Sequence, residues 1–249
     1  MHYRCKDILK QVVQQIIDAH ERLIVIHGGG SFGHPLAKKY HISNGLNKSI
    51  PKQILGLTET HQAMNKFNSF IINAFLEKSY PTLSIQTSSI FIQQSQKILT
   101  HSIDIIETTL DLNILPILYG DIILDKSGSF SIISGDQIIF QLCKHLDKYH
   151  ISKIIFAMEV DGIYLDERDG NGKYRLAQDI YANELNNLKL ADLGQKIDVT
   201  GGIKGKIVSI KKILTYNIPI QLINGLKKGY ILKALKNQPL NCTNILTRK

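Results

Sequence analysis

The chain has 249 residues, of which 43% are hydrophobic and 20% charged, a composition typical of a soluble globular protein with a sizeable core. Its 30 Lys and Arg outnumber 21 Asp and Glu, so the net charge of +9 suits anionic ligands. Cys5, Cys143 and Cys242 lie far apart, which excludes a disulfide framework and a thiolate zinc site. Without an apolar run of ~20 residues or a signal peptide, we expect a cytoplasmic protein with no membrane partner.

Apolar residues alternate between helical and strand spacing along the first half of the chain. A helix is predicted at 7–20, followed by a strand at 23–27 and three glycines, and the next helical stretch is expected to begin near Leu36. The remaining elements of this half are a long helix at about 53–78, a strand at 82–86, a helix at 102–112 and a strand at 114–118. This alternation predicts an α/β fold with a mostly parallel sheet.

The second half continues with the same kinds of element. Residues 121–133 form two apolar runs around Gly128, which predicts a β-hairpin at a sheet margin. A helix opening at Gly135, a strand at 153–157, a helix at 204–214 and a strand at 220–223 follow. Neither an internal repeat nor a Pro- or Ser-rich linker interrupts the chain, so we expect one domain.

The strongest local signal is His27-Gly-Gly-Gly-Ser-Phe-Gly-His34, directly after a predicted strand. Glycines let backbone N–H groups approach an anion, and the N-terminus of the next helix adds partial positive charge, so the segment indicates phosphate binding. It matches neither the P-loop nor the dinucleotide fingerprint. His34 could add a hydrogen bond that protonation would strengthen. The alternative is a tight turn that needs glycine only for positive φ.

A second glycine turn, at 198–206, reads Asp-Val-Thr-Gly-Gly-Ile-Lys-Gly-Lys and leads into a helix. Lys204 and Lys206 fall in its first turns, where the helix dipole disfavours cations unless an anion is bound among them. Either lysine alone could be an ordinary solvated side chain.

Two further motifs carry carboxylates. Asp136 opens a helix, where it could be an N-cap or could hold phosphate-binding lysines in place and keep them charged. Residues 159–164, Glu-Val-Asp-Gly-Ile-Tyr, lie beyond the end of a buried strand, where open α/β sheets bind ligands. The alternative for this second motif is a plain strand-to-loop turn.

Taken in order, HGGGSFGH, YGD, SGDQI, VDGIY and DVTGGIKGK resemble the amino acid kinase superfamily, and the Ser-Phe-Gly-His ending resembles its isopentenyl phosphate kinases. Acetylglutamate and uridylate kinases share the glycine turn without that ending. The resemblance spans His27 to about Gly225 and implies a three-layer α/β/α sandwich. It further implies ATP- and Mg²⁺-dependent conversion of isopentenyl phosphate to isopentenyl diphosphate, late in an archaeal-type mevalonate route, by a homodimer.

The resemblance also implies which residues act. His34, Asp136 and Lys206 would be catalytic, His34 by binding the acceptor phosphate and Asp136 by orienting lysines; no residue is assigned as a metal ligand. The substrate-binding set would be Gly29, Ser31, His34 and Gly135. The ATP-binding set would be Gly30, Glu159, Asp161, Gly162, Gly202, Lys204 and Lys206. Acceptor binding would occupy about 1–150 and nucleotide binding about 151–249, with the apolar tail against a wall at 67–75, a segment that could equally be ordinary core.

This sequence departs from the family at two places. Met158-Glu159 stands where relatives have Thr-Asp, which preserves the charge. Relatives also open with a strand that carries a lysine and a Gly-Gly-Ser turn, and Met1 falls beyond that point. We expect that the natural protein starts upstream, because a sheet without a central strand leaves backbone groups unpaired; the alternative is a chain that lacks a transition-state donor.

Three other functions remain open from the residues. A kinase for a different small phosphate or phosphonate would share the turn, since fosfomycin-type kinases look similar around it. A noncatalytic nucleotide-binding relative would bind ATP without turnover. A nucleic-acid binder has only the net charge in its favour and no recognised module, so we expect no nucleic-acid partner.

Overall fold

The computed structural model describes residues 3–95, 97–100, 102–166, 174–191 and 202–247. The helices within these residues are α1 (Tyr3–Ala19), α2 (Gly30–Lys39), α3 (Gln53–Leu76), α4 (Thr87–Ile90), α5 (Asp104–Asp111), α6 (Gly135–His145), α7 (Gly202–Leu214) and α8 (Tyr230–Leu235). The strands are β1 (Val25–His27), β2 (Thr82–Ser84), β3 (Phe91–Gln94), β4 (Lys97–Thr100), β5 (Leu115–Tyr119), β6 (Asp121–Asp125), β7 (Ser129–Ile133), β8 (Ile154–Met158), β9 (Tyr164–Asp166), β10 (Tyr174–Leu176), β11 (Asp179–Tyr181), β12 (Ile220–Asn224) and β13 (Thr243–Leu246).

The chain divides into two compact units. The N-terminal unit is Arg22–Tyr149, and the C-terminal unit combines Met1–Glu21 with His150–Lys249. The assignment of acceptor binding to about 1–150 and of nucleotide binding to about 151–249 concerns ligands and stays a prediction.

A parallel sheet in the order β1-β5-β2 forms the centre of the N-terminal unit. All five residues of β5 are buried, as expected of a parallel strand covered on both faces. The register pairs Val25 with Ile117 and His27 with Tyr119, so β1 and β5 end side by side. The Gly120 N–H donates to the His27 carbonyl over 2.9 Å, which extends this pairing into the turn that follows β5.

The same unit contains a second sheet in the order β4-β3-β6-β7. β6 and β7 pair antiparallel from Asp121 opposite Ile133 to Asp125 opposite Ser129, and Gly128 takes a φ of +85° in the connecting turn. The hairpin predicted at 121–133 is therefore confirmed, with β7 at the sheet edge.

The C-terminal unit is built on a sheet in the order β11-β13-β12-β8, in which only the β12–β13 pair is antiparallel among the described strands. α1 packs against α8 in this unit. The largely buried Gln15 accepts hydrogen bonds from the N–H groups of Ile231 and Leu232, at 3.1 and 3.3 Å. Since α8 has no side-chain cap of its own, Gln15 supplies acceptors for its first turn.

The α/β prediction is confirmed, and the main helices and strands lie close to their predicted bounds. The expected start of a helix near Leu36 is wrong, because α2 already begins at Gly30 and includes His34. The hairpin of β3 and β4 and the strands β9 to β11 were not predicted. Each has only three or four residues, too few for a recognisable hydrophobic period.

No described helix is both long and apolar enough to cross a membrane. No group of three or more His, Cys, Asp or Glu in the described part of the chain is arranged to hold a metal ion.

Candidate active site

Two helix N-termini come together in the N-terminal unit, at the ends of β1 and β5. α2 starts after Gly29, and α6 starts at Gly135. A Cβ built on Gly135 would lie 3.4 Å from Ile26 Cγ2, and one on Gly120 would lie 3.7 Å from the Gly135 nitrogen. The HGGGSFGH, YGD and SGD motifs therefore meet at the carboxyl ends of two parallel strands, where α/β sheets bind ligands.

The glycines of the first turn are of two kinds. A Cβ on Gly28 or Gly30 would meet no atom within 4 Å, and Gly30 has a φ of +45°. A Cβ on Gly29 or Gly33 would instead lie 3.1 or 2.7 Å from the Met64 sulfur. Gly28 and Gly30 thus leave open space beside the backbone, while Gly29 and Gly33 let α2 pack closely on α3.

His34 lies on α2 and is half-buried. Its Nδ1 is buried and has no hydrogen-bond partner among the described residues, and its ring lies against the turn, with Cδ2 3.5 Å from the Cβ position of Gly29. Burial lowers the pKa of His34, which favours the neutral ring. A buried nitrogen without a partner is costly, so this ring suits a hydrogen-bonding ligand at the turn. The substrate-binding candidate Ser31 is exposed in the first turn of α2.

Asp136 lies half-buried in the first turn of α6, but it is not the N-cap. Ser134 caps the helix: its Oγ accepts from the Gln137 N–H over 3.3 Å, and Gln137 Oε1 accepts from the Ser134 N–H over 2.8 Å. The N-cap alternative for Asp136 is therefore wrong, because Ser134 occupies the N-cap position and forms a reciprocal capping box with Gln137. The role of Asp136 toward lysines stays a prediction.

Beside this site lies a series of hydrogen-bonded polar side chains that the sequence did not predict. The fully buried Asp121 carboxylate accepts from His61 Nδ1 over 2.8 Å, and His61 Nε2 lies 3.1 Å from Asn65 Nδ2. The Tyr119 hydroxyl donates to Asn65 Oδ1 over 2.6 Å. The only available signal was the i, i+4 spacing of His61 and Asn65, which is common on solvated helix faces.

The VDGIY motif forms a braced turn in the C-terminal unit. Lys227 Nζ lies 2.7 Å from Asp161 Oδ1, and the Tyr164 hydroxyl donates to Asp161 Oδ2 over 3.3 Å. Asn224 Nδ2 donates to the Glu159 carbonyl over 3.1 Å. The Asn-Gly-Leu-Lys turn after β12 thus supports Glu159 and Asp161 from outside the motif.

Gly162 lets the same turn approach β13. A Cβ at this position would lie 2.8 Å from the Thr243 backbone nitrogen, which leaves no room for a side chain. The family resemblance implies that Gly162 borders the nucleotide, which stays a prediction; the structure shows a packing requirement for glycine there.

The lysine-rich motif is described only in part. Gly202 is the first residue of α7, and Lys206 Nζ lies 4.4 Å from the ring centroid of Phe156, a cation–π contact with β8. The residues 198–201 of the predicted turn and the side chain of Lys204 lie outside what the structure describes.

The apolar segment at 67–75 contributes both to the site region and to the core. Phe67 stacks on Phe32 at 4.5 Å between ring centroids, and Phe70 lies 6.2 Å from Phe32. Phe75 is buried in the core, 5.9 Å from Tyr80. Phe67 and Phe70 therefore lie against Phe32 of α2, while Phe75 belongs to the core.

Acidification is expected to destabilise the protein. Burial lowers the pKa values of His27, His34 and His145. Below a pH of about 6.5 the unfolded chain takes up protons that these neutral rings do not, so the free energy of unfolding should fall between pH 7 and 5. Urea denaturation across this range measures it. In His27→Asn, the slope of the free energy of unfolding against pH should decrease by the equivalent of up to about one bound proton. An unchanged slope would contradict this account.

Three comparisons with known proteins agree. The model of the amino acid kinase family matches residues 3–224. The isopentenyl phosphate kinase of Methanothermobacter thermautotrophicus is 30% identical over 245 residues, 96% of this chain and 90% of the relative. That of Methanocaldococcus jannaschii is 35% identical over 219 residues, 86% and 77% of the two chains. An X-ray structure of isopentenyl phosphate kinase superposes with a TM-score of 0.77 at 27% identity, covering 96% of this chain and 90% of the other.

Proposed function

The chain belongs to the amino acid kinase family, and we propose that it transfers the γ-phosphoryl group of ATP to isopentenyl phosphate, giving isopentenyl diphosphate and ADP. Two relatives that carry the name isopentenyl phosphate kinase match 96% and 86% of the chain. The place of this reaction in an archaeal-type mevalonate route is part of the same proposal.

His34 is the observation that carries the substrate assignment. Isopentenyl phosphate already bears a phosphate group before the transfer, so its binding site must hold an anion. A site for an uncharged acceptor would have no such requirement. The open space beside Gly28 and Gly30 would let a phosphate approach the backbone N–H groups of the turn, and His34, whose Nδ1 has no partner among the described residues, would supply a side-chain donor there. Binding of the phosphate would favour the protonated ring and so strengthen the hydrogen bond.

The chemistry requires positioning and electrostatic stabilisation. A phosphate oxygen of the acceptor attacks the γ-phosphorus, the bond to the β-γ bridging oxygen breaks, and ADP leaves with that electron pair. No covalent intermediate with the protein is needed. The difficulty is the repulsion between two anions, which the N–H groups at the starts of α2 and α6 and the His34 ring would offset.

ATP enters as its magnesium complex in this proposal, since Mg²⁺ is usually held through substrate phosphates in kinases. The braced turn of Glu159, Asp161 and Gly162 would border the nucleotide. Lys206, with Lys204 as neighbour, would bind its phosphates, and Asp136 would orient lysines. The family match and the position of Lys206 early in α7 support these roles.

A coupled assay of ADP release tests the proposal. We expect turnover with isopentenyl phosphate and MgATP, and isopentenyl diphosphate as the product by mass spectrometry. A panel of other small phosphates and phosphonates, fosfomycin included, runs beside it. Turnover only with another acceptor would assign a different kinase of the family, and ATP binding without turnover on any acceptor would favour a noncatalytic role.

A homodimer in the cytoplasm completes the proposal. α3 exposes the apolar side chains of Ile54, Leu55, Phe70 and Leu76, which a second copy of the chain could cover. Cys143 and Cys242 are free, in keeping with a reducing compartment. Sedimentation analysis measures the oligomeric state.

A further inference from the structure

His27, at the end of β1, is fixed on several sides, although none of the site roles considered so far includes it. Its ring stacks on Tyr119 with 5.4 Å between centroids and an interplanar angle of 17°. Phe67 meets it edge-on at 4.9 Å and 80°. The Oδ1 atom of Asn68, a residue that is 4% exposed, lies 3.2 Å from Nε2. The ring therefore has one orientation, with Nδ1 facing the backbone of the glycine turn.

The hydrogen-bond partners determine which ring nitrogen carries the proton. Nδ1 lies 3.1 Å from the Gly28 carbonyl oxygen, which can only accept, so this bond requires a proton on Nδ1. Burial favours the neutral ring, which leaves Nε2 as an acceptor. A 180° rotation of the Asn68 amide presents its N–H to Nε2 and its oxygen to the Ser84 hydroxyl, 2.5 Å from Asn68 Nδ2. With this amide orientation and an uncharged His27, every hydrogen bond from the Gly28 carbonyl through His27 and Asn68 to Ser84 has one donor and one acceptor.

Three consecutive carbonyl oxygens in the turn accept hydrogen bonds from different donors; they belong to His27, Gly28 and Gly29. The His27 carbonyl accepts from the Gly120 N–H, and the Gly29 carbonyl accepts from the N–H groups of Phe32 and Gly33, at 3.0 and 3.1 Å. Only the Gly28 carbonyl between them has no backbone donor among the described residues, and His27 Nδ1 supplies its hydrogen bond. The peptide between Gly28 and Gly29 would otherwise be free to rotate, since neither flanking residue has a side chain.

The orientation of this peptide decides where the next N–H points. The described chain contains no cis peptide bond, and in a trans peptide the N–H is antiparallel to the C=O. With its carbonyl held toward His27, the Gly29 N–H points away from that ring, and no acceptor among the described residues takes it. If this peptide flipped, the Gly28 carbonyl oxygen would take the place of the Gly29 N–H. That oxygen would repel an anion.

We propose that His27 is a positioning residue that holds the Gly28–Gly29 peptide so that the Gly29 N–H donates to the phosphate of the acceptor. This inference rests on the proposed function for the identity of the acceptor. His27 does not touch the substrate in this account; it acts through the backbone and keeps the turn preorganised before the ligand arrives.

The tautomer is the first test, and it requires no activity. Long-range ¹H–¹⁵N correlation spectra of the unliganded protein should show a proton on His27 Nδ1 at pH 8. A neutral ring with its only proton on Nε2 would overturn the proposal. In the same sample, the Gly29 amide resonance should shift when isopentenyl phosphate is added, and a resonance that stays in place at saturation would also overturn it.

Substitutions separate the hydrogen bond from packing. His27→Asn can place an amide N–H near the position of Nδ1, His27→Gln places it near that of Nε2, and His27→Phe keeps the ring without a donor. We expect the KM for isopentenyl phosphate to rise about 10-fold in the Gln and Phe variants, as for a lost neutral hydrogen bond, and to recover within about threefold in the Asn variant. The KM for ATP should stay unchanged in all three.

The outcomes distinguish this inference from the proposed function. A wild-type protein that binds isopentenyl phosphate without turnover would contradict the proposed kinase, while the tautomer and the Gly29 shift would still decide the role of His27. Equal KM values in the Asn, Gln and wild-type proteins, each shown to be folded by circular dichroism, would assign His27 to packing alone. Should the Phe variant not fold, the Asn and Gln pair remains the test.

Discussion

Replacing His34 with alanine is expected to lower kcat/KM for isopentenyl phosphate on the order of 100-fold, the effect of removing one preorganised donor from an anion site. The ring has a buried Nδ1 without a partner among the described residues, so its removal from the unliganded protein breaks no hydrogen bond seen there. The thermal midpoint should therefore change little, while steady-state kinetics with varied acceptor shows the loss.

A matched control for this variant is His41→Ala. His41 is exposed, just beyond the C-terminal end of the same helix, and should leave kcat/KM unchanged. His34→Gln, which retains an amide donor, should recover part of the activity. A His34→Ala enzyme with wild-type kinetics would remove the basis on which isopentenyl phosphate was chosen over other acceptors.

Replacing Gly56 with alanine is expected to destabilise the protein by about 2 kcal/mol or more, against the usual preference of helices for alanine over glycine by about 1 kcal/mol. Gly56 is buried on α3, and a Cβ there would lie 2.0 Å from Tyr40 Cγ at the end of α2. Tyr40 Cβ would lie 2.5 Å away as well, so a change of the ring rotamer cannot relieve the contact. The clash should thus outweigh the gain in helix propensity.

Urea denaturation measures this effect, with Ser69→Ala on the exposed face of α3 as the control, which should change stability by less than about 0.5 kcal/mol. Because α2 carries His34, the loosened contact should also raise the KM for the acceptor. A Gly56→Ala protein as stable as the wild type would mean that the two helices can separate at no cost, contrary to the close packing described above.

The sequence was sufficient for features that depend on neighbouring residues. Alternation of apolar runs predicted the α/β fold, and the turn residues around Gly128 predicted the hairpin of β6 and β7. The order of the glycine motifs identified the family and singled out His34. These signals are local, because periodicity and turn chemistry act over a few residues.

Sequence reasoning was less successful at the glycine turn itself. Three consecutive glycines favour a loop by propensity. The sequence therefore predicts that α2 begins near Leu36, six residues after its actual start at Gly30. Packing against Met64 requires the small residues Gly29 and Gly33 and extends the helix back to Gly30. Tertiary contact thus overrides local preference there.

Only the tertiary structure could identify the polar groups that support the site. His27 and Asn68 are 41 residues apart, and Lys227 and Asp161 are 66 apart, yet each pair is within hydrogen-bonding distance. Such pairings follow from strand register and helix packing, which bring distant segments together in one arrangement. The sequence by itself determined that a glycine-rich turn ends the first strand; the register of β1 with β5, which sets His27 against Tyr119, decided which side chain contacts the backbone of that turn.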